Sequence, residues 1–401
     1  MRVGILDHLS PRLGGAQLVV AWIASVLSRQ AQVELIHGGR GYRLATLAAA
    51  FELDLSPVKE RVLEVPHTFA RSLRDELAEE RGFDRALTEG YDLFIYSGHG
   101  IPPYSWAARA IAYCHFPFEA SSLLTAESDP RWTHRTSLSQ WLRRQLYSRR
   151  WRKRLSGYTD VVANSRFTAG WIERLWGVPA HVVYPPVAAT APPRQRENVI
   201  ASLGRIVHND RKSAAAQIEA FARVRGRLGG DWHLAIMGFC ADVAEDRAGL
   251  ERLRELARGL PVEFVVNAPR QEILARLAAA KIFWHTTGLA DLLSTEPCYM
   301  EHFGIATVEA MQLGCVPIVP AGGGQPEIVE HGTSGFVCES FDALEQHTVE
   351  LASDGPRVGV MSQAAIKRGE AFNPAAFERQ LIALVAGTGA GSPTFRSRCR
   401  A

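Results

Sequence analysis

Short apolar runs alternate along the chain with segments whose apolar residues recur at helical spacing. In the first half the apolar runs lie at 2–7, 33–37, 91–96 and 110–114. Runs of this length are typical of buried strands. The segments 16–27 and 44–51 have the helical period instead, and Asn164-Ser165 forms an N-cap before a further helix. Strands that alternate with helices predict a parallel sheet and the α/β fold class.

The same alternation restarts in the second half. Residues 188–197, with Pro192-Pro193, are typical of a linker, and an apolar strand follows at Asn198–Arg205. Further predicted strands lie at 232–238, 262–267, 281–285 and 316–319. A chain of 401 residues is long for one core. We therefore predict domains at 1–187 and 188–372, a helix at 373–386 and a flexible tail at 387–401.

Composition changes this picture little. Hydrophobic residues make up 47% and charged residues 22% of the chain, which is ordinary for a globular protein. No apolar stretch reaches the length of a membrane span, and the first residues lack the pattern of a signal peptide. We expect a cytoplasmic protein. Its six cysteines contain no Cys-x-x-Cys pair and are interpreted as reduced thiols rather than disulfides or metal ligands.

Charge is distributed unevenly. The formal net charge is +3, but residues 131–154 carry nine basic side chains and no acidic one, so the remainder sums to −6. Leu138, Trp141, Leu142 and Leu146 lie at helical spacing within this segment. The segment can bind an anionic membrane surface on the inner face of the cell membrane. It can equally be a solvated face whose apolar stripe packs inward. Nucleic-acid binding by this segment is a third possibility, but no known nucleic-acid-binding motif accompanies it.

The most specific stretch runs Cys298-Tyr-Met-Glu301-His-Phe-Gly304-Ile-Ala-Thr-Val-Glu309. Gly304 permits a sharp turn, so that the N–H groups of Phe303, Ile305 and Ala306 can point at an anion. Glu301 and Glu309 then lie on either side of a bound diphosphate, where carboxylates can accept hydrogen bonds from sugar and ribose hydroxyls. Either glutamate alone is more often a solvated surface residue.

This stretch resembles the Glu-x7-Glu motif of family 4 glycosyltransferases, which are retaining enzymes of the GT-B fold. The likeness continues through Gly322-Gly-Gly-Gln-Pro-Glu-Ile-Val-Glu-His-Gly332 and is strongest from Asn198 to Val337. It implies two Rossmann-like domains facing across a cleft, with helix 373–386 packed back on the first. It also implies a nucleotide diphosphate sugar donor, bound mainly by the second domain, and no cofactor.

The resemblance assigns further residues. Arg205 and Lys212 fit the family's Gly-Arg…Lys pattern as fixed cations for the leaving diphosphate, with Arg211 as an alternative to Lys212. No Asp-x-Asp occurs in the chain, so we expect no metal. His115, at the end of a predicted strand, is expected to face the transferred sugar, although a lone histidine there is more often structural. The remaining donor-binding candidates are Gly14, Gly15 and Asn267, the last by its position in the fold alone.

Together these assignments predict a metal-independent hexosyltransferase with His115, Arg205, Lys212 and Glu301 in catalytic roles. The Glu-His-Phe-Gly form of the motif and Val183-Tyr-Pro-Pro resemble the mannosyl-transferring branch, so GDP-mannose leads over a UDP-sugar. A glycan, a lipid-linked glycan or a small molecule can be the acceptor. A nucleotide-sugar epimerase of the same fold and a non-catalytic nucleotide-sugar-binding or membrane-associated protein are the alternatives.

Overall fold

The computed structural model describes residues 1–7, 14–38, 43–63, 73–117, 153–206, 214–290, 292 and 297–387, with backbone alone at 73–80. The chain divides into two compact units. The first comprises Met1–Pro186 and Ala375–Ala401, and the second comprises Val187–Pro374. The basic segment 131–154 lies outside the described residues except at its last two positions. The predicted tail also lies outside them, apart from Gly387.

The first unit contains a seven-stranded sheet in its described part, in the order β3-β2-β1-β4-β5-β6-β7. All neighbouring strands are parallel. The strands are β1 Arg2–Asp7, β2 Gln32–His37, β3 Lys59–Val62, β4 Leu93–Gly98, β5 Arg109–Cys114, β6 Asp160–Ala163 and β7 His181–Val182. The α-helices of this unit are Gly15–Ser28, Leu44–Phe51, Leu73–Thr88, Arg166–Trp176 and Pro374–Ala386.

The second unit contains a six-stranded parallel sheet in its described part, in the order β10-β9-β8-β11-β12-β13. The strands are β8 Glu197–Arg205, β9 His233–Phe239, β10 Val262–Val266, β11 Ala280–Trp284, β12 Val316–Pro320 and β13 Phe336–Cys338. Its α-helices are Ala214–Leu228, Ala244–Leu256, Arg270–Ala279, Ile305–Gln312, Gln325–Ile328, Phe341–Ser353 and Gly355–Gly369, with 3-10 turns at Pro297–Tyr299 and Glu370–Phe372.

The C-terminal helix Pro374–Ala386 packs on the core of the first unit. Its apolar residues Phe377, Leu381 and Leu384 are buried in one cluster with strand residues such as Ile5. The Arg109 guanidinium donates to the carbonyls of Leu384 and Val385 at 2.8 and 2.5 Å. A cation at the last carbonyls of a helix is favourable because those groups lack helical partners and carry the negative end of the dipole.

The α/β fold predicted from the alternating pattern is confirmed, with differences at particular elements. The helix Leu73–Thr88 and strand β3 were not predicted. Strand β3 reads Lys-Glu-Arg-Val and has no apolar alternation. Ser165 is the N-cap predicted for the helix Arg166–Trp176, and its hydroxyl accepts from the Thr168 N–H at 3.0 Å. Among the described residues, no helix is both long and apolar enough to cross a membrane.

Candidate active site at the carboxyl edge of the second sheet

The strand order of the second sheet identifies where a ligand can bind. From β8 the chain proceeds outward through β9 and β10, then returns to the other side of β8 to form β11, β12 and β13. In open α/β sheets ligands bind outside the carboxyl ends of the strands at such a switch point. Arg205 is the last residue of β8, and His285 follows directly on β11. These two residues therefore mark the edge at which a ligand is expected to bind.

Glu301 lies in the loop before the helix Ile305–Gln312, and its carboxylate is close to the His285 ring. The His285 side chain is 2% exposed and the Glu301 side chain 24% exposed, and the distance from His285 Nε2 to Glu301 Oε2 is 3.3 Å. The backbone of this loop is also fixed, because the Glu301 carbonyl accepts from the Gly324 N–H at 2.8 Å. The structure therefore places the predicted sugar-binding carboxylate at the carboxyl edge of β11.

The start of the helix Ile305–Gln312 has the backbone geometry that the motif predicts. Gly304 is its N-cap and has φ of 120°, which L side chains rarely adopt. A Cβ at Gly304 would lie 2.2 Å from Nε2 of Gln325, which is fully buried. Ile305 and Ala306 are partly exposed, and no acidic residue lies in the first turn. The first N–H groups of the helix can therefore bind an anion.

Glu309 is buried one turn into this helix and forms an ion pair. Its side chain is 6% exposed, and its Oε1 lies 2.8 Å from Nη1 of Arg270, which is 40% exposed. Arg270 also donates from Nη2 to the Ala188 carbonyl at 3.2 Å. The carboxylate predicted to bind ribose thus has a charged neighbour that the motif does not include.

The glycine run Gly322–Gly324 lets two backbone segments approach closely. A Cβ on Gly323 would lie 2.2 Å from the Glu301 carbonyl oxygen, and a Cβ on Gly324 would lie 2.5 Å from that of His302. Neither contact leaves room for a side chain. The glycines therefore bring the turn after β12 against the loop that carries Glu301.

The predicted cations are only partly described. Arg205 is exposed at the end of β8, directly opposite Phe239 of β9. Lys212 and its alternative Arg211 lie outside the described residues. The structure therefore places one of the two predicted cations at the carboxyl edge, and the role of Lys212 stays a prediction.

Asn267 has a structural role that its predicted position at the nucleotide base did not anticipate. It has φ of 55°, its Oδ1 accepts from the Cys240 N–H at 2.9 Å, and its Nδ2 donates to the Cys240 carbonyl at 2.9 Å. Both ends of the amide are thus bound to one residue after β9. The Asn267 amide is thus engaged with the backbone of Cys240, and the assignment to the nucleotide base stays a prediction.

In the first unit, the two predicted glycines lie at the start of the first helix. Gly14 is the N-cap of the helix Gly15–Ser28, and no acidic residue lies in its first turn. Asp7 at the end of β1 is buried and accepts from Gln17 Nε2 of this helix at 3.4 Å. The connecting residues 8–13 are not described, so the approach of a phosphate to these glycines stays a prediction.

His115 follows β5 at the carboxyl edge of the first sheet. It is 5% exposed, and its Nε2 lies 2.9 Å from Ser97 Oγ at the end of β4. The His99 ring lies beside it, with centroids 5.2 Å apart. The sequence did not identify Ser97 or His99, because neither the last residues of β4 nor the connection that follows it carries a motif. The serine fixes the direction of the His115 ring.

Four of the five described cysteines are buried. Cys114, Cys240, Cys298, Cys315 and Cys338 are free cysteines, as expected. Burial raises the pKa of Cys315 and of Cys338 to about 12. Thiols with such pKa values stay protonated at neutral pH and are poor nucleophiles.

Among the described residues, no group of three or more His, Cys, Asp and Glu side chains is arranged to hold a metal ion.

Two Rossmann-like units, the second with two carboxylates and a helix start at its carboxyl edge, define an α/β protein of the GT-B type. Solved structures agree with this fold. Anabaena Alr3699/HepE in complex with UDP and glucose matches with a TM-score of 0.66 at 16% identity, covering 96% of this chain and all of that one. WaaG, a glycosyltransferase involved in lipopolysaccharide biosynthesis, matches with 0.63 at 14% identity, covering 96% and 100%. At these identities the likeness shows the fold alone.

Sequence comparison identifies the family. Residues 13–190 match Glycosyltransferase Family 4, and residues 189–368 match Glycosyl transferases group 1. The chain belongs to the family 4 glycosyltransferases. Human alpha-1,3/1,6-mannosyltransferase ALG2 is 26% identical over 320 residues, 71% of this chain and 70% of that protein. The GDP-Man:Man(3)GlcNAc(2)-PP-Dol alpha-1,2-mannosyltransferase of Xenopus laevis is 28% identical over 246 residues, 56% of this chain but only 47% of that protein.

Proposed function

We propose that this glycosyltransferase transfers a mannosyl group from GDP-mannose to a lipid-linked glycan, with retention of anomeric configuration and without a metal ion. The observation that carries the proposal is the edge of the second sheet, where Glu301, Glu309 and the helix start at Gly304 lie on one short segment. The names of the two mannosyltransferase relatives support the sugar and the acceptor class. The epimerase and the non-catalytic protein are not favoured by these comparisons.

Each group at the edge has a distinct proposed role. The N–H groups of Ile305 and Ala306 bind the diphosphate, and Arg205 offsets the charge that grows on it as the glycosidic bond breaks. Glu309 accepts hydrogen bonds from ribose hydroxyls, and Glu301 accepts them from sugar hydroxyls. His115 of the first unit is proposed to orient the transferred sugar, with its ring direction set by Ser97.

Retention is the outcome that the family resemblance implies, and the groups available bear on how it would be reached. Double displacement would need a carboxylate close to the anomeric carbon, on the face opposite the leaving group. The sequence has no evident candidate for that role, and the resemblance implies attack from the same face as the departing diphosphate. The leaving phosphate would then take the acceptor proton. Fixed cations and backbone donors supply the stabilisation that a metal ion would otherwise provide.

A thermal-shift comparison of GDP and UDP, followed by turnover with GDP-mannose, UDP-glucose and UDP-N-acetylglucosamine, tests the donor. We expect GDP to raise the unfolding temperature more than UDP, and GDP-mannose alone to be consumed when a lipid-linked glycan is present. Turnover should persist in excess EDTA. Preferential consumption of a UDP-sugar would overturn the donor, and loss of activity in EDTA that added metal restores would overturn metal independence.

We also propose that the protein works in the cytoplasm, at a membrane surface through the basic segment 131–154, since a lipid-linked acceptor lies in a membrane. Nine cationic side chains without an acid favour anionic headgroups. Sedimentation with vesicles tests the contact. Binding to phosphatidylserine vesicles that is lost in high salt, and no binding to phosphatidylcholine vesicles, is expected. Equal binding to both, or none to either, would contradict it.

A further inference from the structure

His285 is a buried polar residue at the carboxyl end of β11 that lies outside the Glu-x7-Glu motif. Its side chain is 2% exposed, and its Nε2 lies 3.3 Å from Oε2 of Glu301. The motif gives Glu301 a proposed contact with the sugar but assigns nothing to the residue behind it. A buried ring thus lies close to a carboxylate that is itself partly exposed.

The histidine itself is held rigidly. Its backbone N–H donates to the Ile318 carbonyl of β12 at 3.1 Å, which extends the sheet by one residue. The next residue, Thr286, accepts from Gln217 Nε2 at 2.6 Å through its hydroxyl, and both of these side chains are buried. The ring therefore projects from a segment that is fixed by the neighbouring strand and by the helix Ala214–Leu228.

Glu301 differs from His285 in this respect. It lies in a connection without helix or strand, and its carbonyl accepts from the Gly324 N–H. That bond fixes the peptide but not the three side-chain torsions that direct the carboxylate. Holding a long side chain in one rotamer costs conformational entropy unless a partner favours that rotamer. His285 is such a partner.

We propose that His285 is a positioning residue for the transfer reaction, which holds the Glu301 carboxylate in the orientation that accepts the hydroxyls of the donor sugar. The inference rests on the proposed function, because it requires Glu301 to contact the sugar. His285 acts only through Glu301 and does not touch the donor.

The two halves of the donor should then respond differently. In the proposed function the nucleotide diphosphate is bound by Glu309 and the helix start at Gly304, whereas His285 lies at the end of β11 beside Glu301. Loss of the His285 ring should therefore weaken steps that depend on the sugar and leave the affinity for the nucleotide diphosphate unchanged. A residue that only stabilises the fold would affect both.

The test is a double-mutant cycle with His285→Phe and Glu301→Gln, using the donor that the wild-type protein turns over. Each single variant should lose roughly 10- to 100-fold in kcat/KM, since small misplacements of a group that orients the substrate have effects of that size. In the Glu301→Gln background, His285→Phe should cause no further loss. Affinity for the nucleotide diphosphate, measured by calorimetry, should equal that of the wild type.

Conservative variants separate positioning from folding. His285→Gln places an amide nitrogen at about the reach of Nε2 and should restore most of the activity, whereas His285→Asn is too short and should not. Should His285→Phe not fold, His285→Asn replaces it in the cycle. The matched control is His37→Phe in the first unit, because His37 is also 2% exposed and its Nε2 lies 2.9 Å from Glu60 Oε1. This variant should lose stability while the KM for the donor stays unchanged.

The outcomes distinguish the inference from the proposed function. Additive losses in the cycle, or a loss in nucleotide diphosphate affinity equal to the loss in kcat/KM, would overturn the role of His285 while leaving Glu301 in place. Full activity of Glu301→Gln would overturn both the sugar contact and the inference. If the protein turns over a UDP-sugar and the double-mutant cycle still gives the expected non-additive result, the proposed donor is wrong and the positioning role of His285 is supported.

Discussion

Arg270 Nη1 lies 2.8 Å from Oε1 of Glu309, so the buried second carboxylate of the motif is paired with a cation from another helix. Arg270 is the first residue of the helix Arg270–Ala279 and reaches the Ala188 carbonyl with its other terminal nitrogen. One planar guanidinium thus fixes a proposed ribose ligand and contacts the segment that begins the second unit. A lysine cannot make both contacts in this geometry.

Replacing Arg270 should weaken the second unit and its nucleotide affinity together. Arg270→Ala leaves a 6%-exposed carboxylate without its ion pair, but the guanidinium is 40% exposed, so we expect a loss of only about 1 kcal/mol in unfolding free energy. Affinity for GDP should fall as well. Denaturant unfolding and calorimetry measure the two effects.

The control for this variant is Arg276→Ala on the same helix. Arg276 pairs with Glu263 and Glu272 at 2.7 and 3.1 Å, and all three side chains are at least 36% exposed. This change should alter neither stability nor GDP affinity measurably. Equal effects of the two substitutions would show that the Glu309 pair has no special importance.

Glu309→Gln should reduce GDP affinity about tenfold, the size expected when a charged acceptor of hydrogen bonds becomes neutral. The amide keeps the shape of the side chain and so separates charge from packing. Isothermal calorimetry with GDP, and with guanine alone as a ligand without ribose, measures the change in affinity. A Glu309→Gln protein with the wild-type affinity for GDP would refute the ribose contact.

Arg205→Ala should lower kcat by roughly 100- to 1,000-fold, the usual cost of removing one group that stabilises developing charge. The KM for the acceptor should change little, because the charge that Arg205 meets grows only as the bond breaks. Arg225→Ala, which removes an exposed arginine of the same unit that donates to the Gly259 carbonyl, is the control. Equal turnover in the two variants would exclude the role.

Gly304→Ala should impair both folding and nucleotide binding. An alanine here would be held at φ of 120°, and its Cβ would clash with the Gln325 side chain. We expect the free energy of unfolding to fall by about 1–3 kcal/mol. Relief of the clash would displace the first turn of the helix Ile305–Gln312, and the affinity for GDP should therefore fall. Gly355→Ala is the control, since nothing lies within 4 Å of its Cβ and its φ is ordinary. A Gly304→Ala protein with normal stability and affinity would contradict the geometry at the helix start.

The first unit should become less stable in acid through Asp160. Burial alone raises the pKa of this carboxyl, but hydrogen bonds from His181, Arg109 and Thr159 and the charge of Arg109 hold its pKa well below the ordinary value. Because the folded pKa is lowered, the stabilisation is complete above the unfolded value of about 4 and is lost as pH falls below it. The difference in unfolding temperature between wild type and Asp160→Asn should therefore be constant from pH 6 to 8 and shrink below pH 4. A difference that does not vary with pH would refute the linkage.

The sequence predicts the fold well where the hydrophobic period agrees with the capping and turn residues at the ends of an element. Ser165 before an amphipathic helix and the apolar strand at β12 are examples of such agreement. It fails at β3, whose four residues are mostly charged and which pairs with β2 at the end of the described sheet. Local pattern cannot show a strand whose stability comes from its neighbour.

The candidate site was predictable as far as its motif extends. Gly304 and the two glutamates are recognisable because their roles require fixed spacing along one segment. His285 and Arg270 are not, since each reaches its glutamate through tertiary structure, 16 and 39 residues away in sequence. A His at a predicted strand end was the available signal for His285, and the same signal occurs at His115 and His37 without distinguishing their partners.

The configuration of the product tests the central claim most directly. Incubating the protein with GDP-α-mannose and a lipid-linked glycan in EDTA, and measuring the one-bond C1–H1 coupling of the new linkage by NMR, reports donor, transfer and stereochemistry at once. We predict an α-mannosidic product whose formation is reduced in Arg205→Ala and Glu301→Gln. A β-linked product, or GDP-mannose left intact while a UDP-sugar is consumed, would contradict the account.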